Sequence, residues 1–117
     1  MNLLVKFNEK AFFEEGDLTL HFQEVLEDSR CPVGKGVACV WEGNAKILLF
    51  VSQAYRETLE VTLNTFGRNN MLSEAKVFEY SIKLDSLFPV PSANINQPDL
   101  QNYVATLAIA KTSSVAN

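Results

Sequence analysis

The sequence is poor in the residues that usually mark a chemical site. Its 117 residues include two cysteines, one tryptophan and a single histidine, His21. Zinc sites usually pair cysteines two to four residues apart and need four ligands, and redox pairs usually have two intervening residues. Here seven residues separate Cys31 from Cys39, and no nucleophile-elbow, zinc-protease, P-loop, dinucleotide-binding or EF-hand pattern is present. We therefore predict that the protein is not an enzyme and holds no cofactor.

Positive charge is also sparse. Ten Lys and Arg residues stand against fourteen Asp and Glu residues, which gives a net charge of -4. The basic residues are scattered singly rather than gathered in a stripe, a pattern that disfavours binding to nucleic acid or to an anionic membrane surface. No apolar run approaches the roughly 20 residues needed to cross a bilayer. We expect a monomer with no nucleic-acid partner and no membrane span.

The start of the chain lacks the features of an export signal. Residues 1–7 have no basic region and are too short for the apolar part of a signal peptide. As written, the sequence therefore predicts either a cytoplasmic protein or a mature form with a new initiating Met.

Apolar residues in strand-like alternation are abundant. The hydrophobic fraction is 47% and the charged fraction 21%, values typical of a globular chain. The length allows one domain, which we assign to residues 1–111, with a flexible tail at 112–117. Six segments have the pattern of a strand, and no segment has a useful helical period. They are residues 3–7, 18–23, 45–51, 59–63, 78–84 and 103–109.

These segments predict an all-β fold. Their spacing favours an antiparallel sandwich or a sheet closed on itself, and we predict an immunoglobulin-like sandwich of six to seven strands. Residues 45–51 are nearly all apolar, which predicts a central strand covered on both faces. The alternation breaks at residues 24–26, which indicates a bulge or a strand end. We expect the following residues to be buried: Leu20, Phe22, Ile47, Leu49, Val61, Leu63, Tyr80, Ile82, Leu107 and Ile109.

One stretch, residues 27–44, differs from this plain pattern. It reads EDSRCPVGKGVACVWEGN and holds both cysteines and the tryptophan. The EDSRCP and VACVWEGN parts resemble a signature of small uncharacterised bacterial proteins, many of which look like secreted proteins or lipoproteins. The resemblance implies a β-sandwich-like domain, allows for a Cys31–Cys39 bridge and suggests export. It brings no activity with it.

The cysteines themselves favour a structural role. Gly34 and Gly36 let the chain between the two cysteines fold back on itself. A disulfide bridge closing this loop would stabilise the fold by roughly 2–3 kcal/mol on the loop-entropy model. In a reducing cell the same residues would be two plain thiols. Trp41 is expected to pack on the cysteines, and its alternative role is an exposed platform that stacks on a sugar or aromatic ligand.

Charged residues flank the cysteines. Arg30 is expected to form a bidentate pair with a carboxylate, Asp28 or Glu42, that holds the base of the loop. The functional alternative makes Asp28 and Glu42 a Ca²⁺-binding or acid–base pair, but calcium needs six to eight oxygen ligands. His21 lies on the polar face of a strand and is expected to be a solvated surface residue.

These observations lead to a hypothesis about function. We predict a non-catalytic sandwich module that binds an unknown protein or saccharide partner through loops at one end, because loops on a plain scaffold usually carry function. The candidate binding residues are Asp28, Arg30, Lys35, Trp41 and Glu42. The alternative is a redox- or metal-responsive protein that uses the loop containing Cys31 and Cys39.

Overall fold

Antiparallel strands account for most of the structure. The computed structural model describes residues 2–31, 43–54, 56–66, 72–90 and 99–112. Within these residues there are eight strands and two single turns of 3-10 helix, Glu14–Gly16 and Leu100–Asn102. The strands are β1 (Asn2–Lys6), β2 (Lys10–Phe13), β3 (Leu18–Asp28), β4 (Ala45–Gln53), β5 (Leu59–Asn64), β6 (Glu74–Val77), β7 (Tyr80–Phe88) and β8 (Val104–Lys111).

The strands form two four-stranded antiparallel sheets, so the predicted all-β, sandwich-like fold is confirmed. One sheet has the order β1-β8-β7-β6 and the other the order β2-β3-β4-β5. The sheets approach each other along both sides, where β1 lies beside β2 and β5 beside β6. The immunoglobulin-like arrangement is not confirmed. In its seven-stranded form at most two consecutive strands share a sheet, whereas here β2, β3, β4 and β5 share one.

The core lies between the two sheets and is built from the inward-facing residues of the strands, which alternate with outward-facing ones. Nine of the ten residues expected to be buried are buried, and Tyr80 is half-buried instead. The core also contains residues outside that list: Val5, Phe13, Leu18, Ala45, Val51, Val77, Leu84, Leu87, Tyr103 and Ala105. Within the described residues no helix is long and apolar enough to cross a membrane.

The strand count differs from the prediction because two short strands were missed. Lys10–Phe13 lies between the first two predicted strand segments, and it pairs with β3. Glu74–Val77 forms a tight hairpin with β7, and Phe78 in its turn has a positive φ of 57°. Four-residue strands show too little alternation to stand out in a sequence. The end of β7 was also missed, since this strand continues to Phe88 past a bulge between Leu84 and Ser86.

Strand β4 is central in its sheet, as predicted, but it is not covered on both faces by the described residues. Its inward side chains are buried, whereas Lys46, Leu48 and Phe50 are half-exposed on the outer face. The prediction failed because a half-exposed Leu or Phe has the same sequence pattern as a buried one.

The predicted bulge in β3 is confirmed and matters for the site described next. The register against β4 shifts between Phe22 and Glu24 and again between Val25 and Glu27. Each shift adds a residue and changes which side chain faces the core. After both shifts Asp28 pairs with Ala45 and its side chain is fully buried.

Candidate functional site

The candidate site lies at the end of the sandwich where β3 ends and β4 begins. Strands β3, β5 and β7 end here, and β4, β6 and β8 begin here. Residues 32–42, 67–71 and 91–98 lie outside the described residues. The described side chains at their base form a connected polar cluster, which we call the Asp28 end. It consists of Asp28, Ser29, Arg30, Asn44, Asn64 and Tyr103.

Asp28 and Arg30 form the bidentate pair expected from the sequence. Arg30 donates from Nε to Asp28 Oδ1 at 2.8 Å and from Nη2 to Asp28 Oδ2 at 2.9 Å. The Asp28 side chain is completely buried and the Arg30 side chain is 10% exposed. The predicted bidentate pair of Arg30 with a carboxylate is therefore confirmed, with Asp28 as that carboxylate.

Arg30 also joins one sheet to the other. Its Nη1 donates to the carbonyl oxygen of Leu87, and its Nη2 donates to that of Pro89 at 2.9 Å. Both carbonyls lie at the end of β7, whereas Arg30 follows β3 in the opposite sheet. Most donors of the guanidinium are therefore occupied within the protein.

Tyr103 completes the buried part of this cluster. Its hydroxyl donates to Asp28 Oδ2 at 2.5 Å, and the side chain is fully buried. Burial opposes ionisation of Asp28, but hydrogen bonds from Arg30 and Tyr103 and the Arg30 charge outweigh it and hold the pKa of Asp28 below its usual value. Burial, together with the hydrogen bond to Asp28 and its charge, raises the pKa of Tyr103 well above its usual range.

A second group of polar contacts ties β4 to β5. Asn44 and Asn64 are both buried, and Asn44 Nδ2 donates to Asn64 Oδ1 at 2.8 Å. Asn64 Nδ2 donates to the Leu72 carbonyl at 2.9 Å, and the Phe66 amide donates to Asn44 Oδ1 at 3.0 Å. Among the described residues no buried side-chain nitrogen or oxygen lacks a hydrogen-bond partner.

The stem of the cysteine-containing loop is closed. The Ser29 amide donates to the Asn44 carbonyl at 2.7 Å, and the Ser29 hydroxyl donates to the same carbonyl at 3.0 Å. Gly43 has a φ of 78°, and a Cβ atom built on it would lie 2.0 Å from the Ser29 carbonyl oxygen. Only glycine fits this close approach of two backbones without strain.

A shallow groove of about 270 Å³ opens beside this stem. It is lined by Arg30, Cys31, Gly43, Thr65, Phe66 and Val90. Ligand pockets usually measure about 300–1,000 Å³, so this groove suits a single side chain or sugar ring better than a whole small molecule. Val90 is 42% exposed and gives the groove an accessible apolar wall.

The structure brings together only part of the predicted site. Asp28, Arg30 and Cys31 lie at the stem, but Lys35, Cys39, Trp41 and Glu42 lie outside the described residues. The predicted Cys31–Cys39 bridge and the packing of Trp41 on it therefore stay predictions. His21 lies on the outer face of its sheet, half-buried, with its ring 6.2 Å from that of Phe50 in an edge-on arrangement.

Sequence reasoning missed Asn44, Asn64 and Tyr103 as members of the cluster. The sequence pattern predicts Tyr103 only as the first residue of an alternating strand. A signal was present, since a buried Tyr usually places its hydroxyl on a partner. Asn44 and Asn64 adjoin apolar strand segments, where Asn is depleted. The hydrogen-bond partner of each of these residues is distant in sequence, so the spacing of residues along the chain did not indicate it.

The opposite end of the sandwich, which we call the Glu79 end, is more exposed. Arg56 Nη2 lies 3.1 Å from Glu79 Oε2, and Gln53 Nε2 donates to the Gly16 carbonyl at 2.8 Å. A hydrogen bond from Gln53 and the nearby Arg56 charge lower the pKa of Glu79. Thr112, assigned to the tail, donates from its amide and hydroxyl to the Glu79 carbonyl at 2.8 and 2.9 Å.

Comparisons of this chain with protein-family models, with curated proteins and with solved structures found no match. Among the described residues, no three His, Cys, Asp or Glu side chains are grouped so that they could hold a metal ion.

Proposed function

We propose that the protein is a non-catalytic binding module that engages a protein or saccharide partner at the Asp28 end. The observation that supports this most is the pairing of a rigid, fully hydrogen-bonded base with an accessible apolar groove. A fixed base limits the conformational entropy lost on binding. Loops held by such a scaffold are the usual place for recognition.

The ionisation of the buried cluster argues against acid–base chemistry there. A general acid or base works best with a pKa near the operating pH. The pKa of Asp28 is shifted down and that of Tyr103 is shifted up, so each moves away from neutrality. Arg30 is likewise committed to Asp28 and to two carbonyls. We therefore propose that Asp28 and Arg30 support the site, and that Phe66 and Val90 form the surface that contacts the partner.

A binding screen with matched variants tests this proposal. The protein is screened on a peptide array and a glycan array, and any ligand found is titrated in solution. Val90→Asp places a charge in the groove, and Ala110→Asp, at an exposed residue lining a groove at the Glu79 end, is its control. We expect Val90→Asp to weaken binding at least about tenfold and the control to leave it unchanged. Equal effects of the two variants, or no ligand on either array, would contradict the proposal.

The redox- or metal-responsive alternative depends on Cys39, which lies outside the described residues. Thiol titration of the native protein before and after reduction separates the two functions. A structural bridge predicts no reactive thiol before reduction and two after it. Two reactive thiols in the air-oxidised protein, together with bound Zn²⁺ or Cu⁺ in native mass spectra, would favour the alternative.

A further inference from the structure

The outer face of the β2-β3-β4-β5 sheet exposes large apolar side chains. Phe12 is 53% exposed, and Leu48 and Phe50 on the central strand β4 are half-exposed. The outer face of the other sheet exposes two large apolar side chains near one end, Leu4 and Phe88. Its remaining outward residues on β7 and β8 are mostly small or charged: Ser81, Lys83, Asp85, Ser86, Thr106, Ala108 and Ala110. Grouped apolar side chains on a surface are typical of a site that a partner covers, and on the β2-β3-β4-β5 face the surrounding charges indicate which partner fits.

Charged side chains frame this patch in rows that run across the strands. Cross-strand pairing joins four outward residues into one row: Lys10, His21, Phe50 and Glu60. The row is basic on β2, aromatic in the middle and acidic on β5. A second row pairs Glu27 on β3 with Lys46 on β4. In both rows the two signs of charge lie on opposite sides of the line between β3 and β4.

This distribution of charge is self-complementary. We consider a second copy packed face to face with the first and related to it by a two-fold axis. The axis runs parallel to the strands, between β3 and β4. It places β2 of one copy over β5 of the other, and each row of residues lies opposite the same row of the second copy. Lys10 then faces Glu60 of the second copy, and Glu27 faces Lys46 of the second copy. Within one copy Lys10 and Glu60 are separated by three strand spacings, about 14 Å, so they do not pair there.

The aromatic side chains meet at the centre of the same arrangement. His21 faces Phe50 of the second copy, and the reverse contact follows from symmetry. Strands of four to eleven residues at about 3.3 Å per residue and about 4.8 Å spacing give a face of roughly 500 Å² in projection. Two opposed faces remove roughly 1,000 Å², near the lower bound for a specific interface. Glu24 would face Leu48 of the second copy, a mismatch that limits affinity.

We propose that this face is the interface of a weak two-fold homodimer, formed by a second copy of this chain with Lys10 on Glu60 and Glu27 on Lys46. The monomer expected from the sequence is then the form present at low concentration. The proposal is independent of the binding function assigned to the Asp28 end, because Phe66 and Val90 follow β5 and β7 and are not part of this face.

Molecular mass as a function of concentration tests the interface. Sedimentation equilibrium from micromolar to millimolar protein should show the wild type rising from one chain mass to two. Phe50→Glu should keep it at one chain mass. Leu4→Glu, an equally drastic change on the outer face of the other sheet, should behave like the wild type. A wild type that stays at one chain mass at millimolar concentration, or a Leu4→Glu variant that abolishes the dimer, would overturn the proposal.

A charge exchange tests the arrangement without relying on Phe50. Lys10→Glu alone and Glu60→Lys alone each place like charges together and should weaken the dimer at least about tenfold. The double variant, and an equimolar mixture of the two single variants, should restore it. Circular dichroism of each variant confirms the fold. Single variants that dimerise like the wild type, or a double variant that fails to recover, would overturn this two-fold arrangement.

Discussion

The two ends of the sandwich each carry an arginine–carboxylate pair, and the two pairs differ in burial, geometry and further contacts. At the Asp28 end the side chains of Arg30 and Asp28 are 10% and 0% exposed, whereas at the Glu79 end those of Arg56 and Glu79 are 53% and 48% exposed. The buried pair is bidentate and bonds to three further groups. The exposed pair has a single contact at 3.1 Å and a stack of Arg56 on the Phe78 ring, 5.2 Å away.

This difference shows which pair contributes to stability. An exposed ion pair gains little in water and loses side-chain entropy. A buried pair need not stabilise a fold relative to apolar side chains, but the loss of one partner leaves an uncompensated charge. Asp28 neutralises Arg30 where the two sheets are joined. The cost of disrupting the Asp28 end is therefore expected to exceed that at the Glu79 end, and matched substitutions measure the excess.

The largest difference is expected from removal of the carboxylates. Asp28→Ala leaves the Arg30 charge buried and should lower the free energy of unfolding by about 3–5 kcal/mol. Glu79→Ala should leave the unfolding midpoint in urea unchanged, since Arg56 remains in water. Urea titrations of both variants at neutral pH make the comparison. Similar losses in the two variants would show that burial does not separate the pairs.

The glycines of the two ends should differ almost as much. Gly43→Ala places a Cβ atom against the Ser29 carbonyl oxygen at a positive φ, which should cost about 3 kcal/mol because both neighbours are backbone. In Gly16→Ala the new Cβ atom would lie 2.7 Å from the ring of Tyr80. The clash is with the outer end of a half-buried side chain, so the loss should be about 1 kcal/mol, the low end of the range for overpacking. A larger loss for Gly16→Ala in the same titration would mean that Tyr80 is fixed in place.

Two tyrosines provide a third matched pair. Tyr103→Phe removes the hydrogen bond to buried Asp28 and should cost about 2 kcal/mol. Tyr80→Phe removes only a 3.4 Å contact to the Glu15 carbonyl and should have almost no effect on stability. Thermal unfolding followed by circular dichroism distinguishes them. A stable Tyr103→Phe variant would indicate that Asp28 finds another donor.

The Asp28 end also shows how far sequence reasoning reaches. The pair of Arg30 with Asp28 was predictable because the two residues are close in sequence and a guanidinium matches a carboxylate. The two register shifts that bring Asp28 level with Ala45 were visible as a break in alternation at residues 24–26. The contacts of Arg30 with the Leu87 and Pro89 carbonyls were not predictable, since they depend on how the two sheets are stacked.

The fold shows the same limit. Alternation located the long strands and nearly all of the expected core. It did not assign strands to sheets, and the immunoglobulin-like arrangement was inferred from strand number and spacing, which many antiparallel folds share. Alternation also could not tell that Leu48 and Phe50 are half-exposed. That requires knowledge of what covers the outer face of β4.

The smallest effect is expected in the loss of folding stability at low pH. Because the pKa of Asp28 is lower in the folded chain than in the unfolded chain, its contribution to stability is present above the unfolded value, near 4, and is lost as the pH falls through the folded value. The wild type should therefore lose stability below about pH 4 more steeply than Asp28→Asn does.

The pKa of Glu79 is lowered in the same direction, but its exposed pair should be screened by salt. Unfolding free energies from pH 6 to 2, at low and high salt, measure both. The wild-type excess over Asp28→Asn should survive high salt, whereas any excess over Glu79→Gln should vanish. Parallel acid profiles for the wild type and Asp28→Asn would show that the buried pair does not govern acid stability.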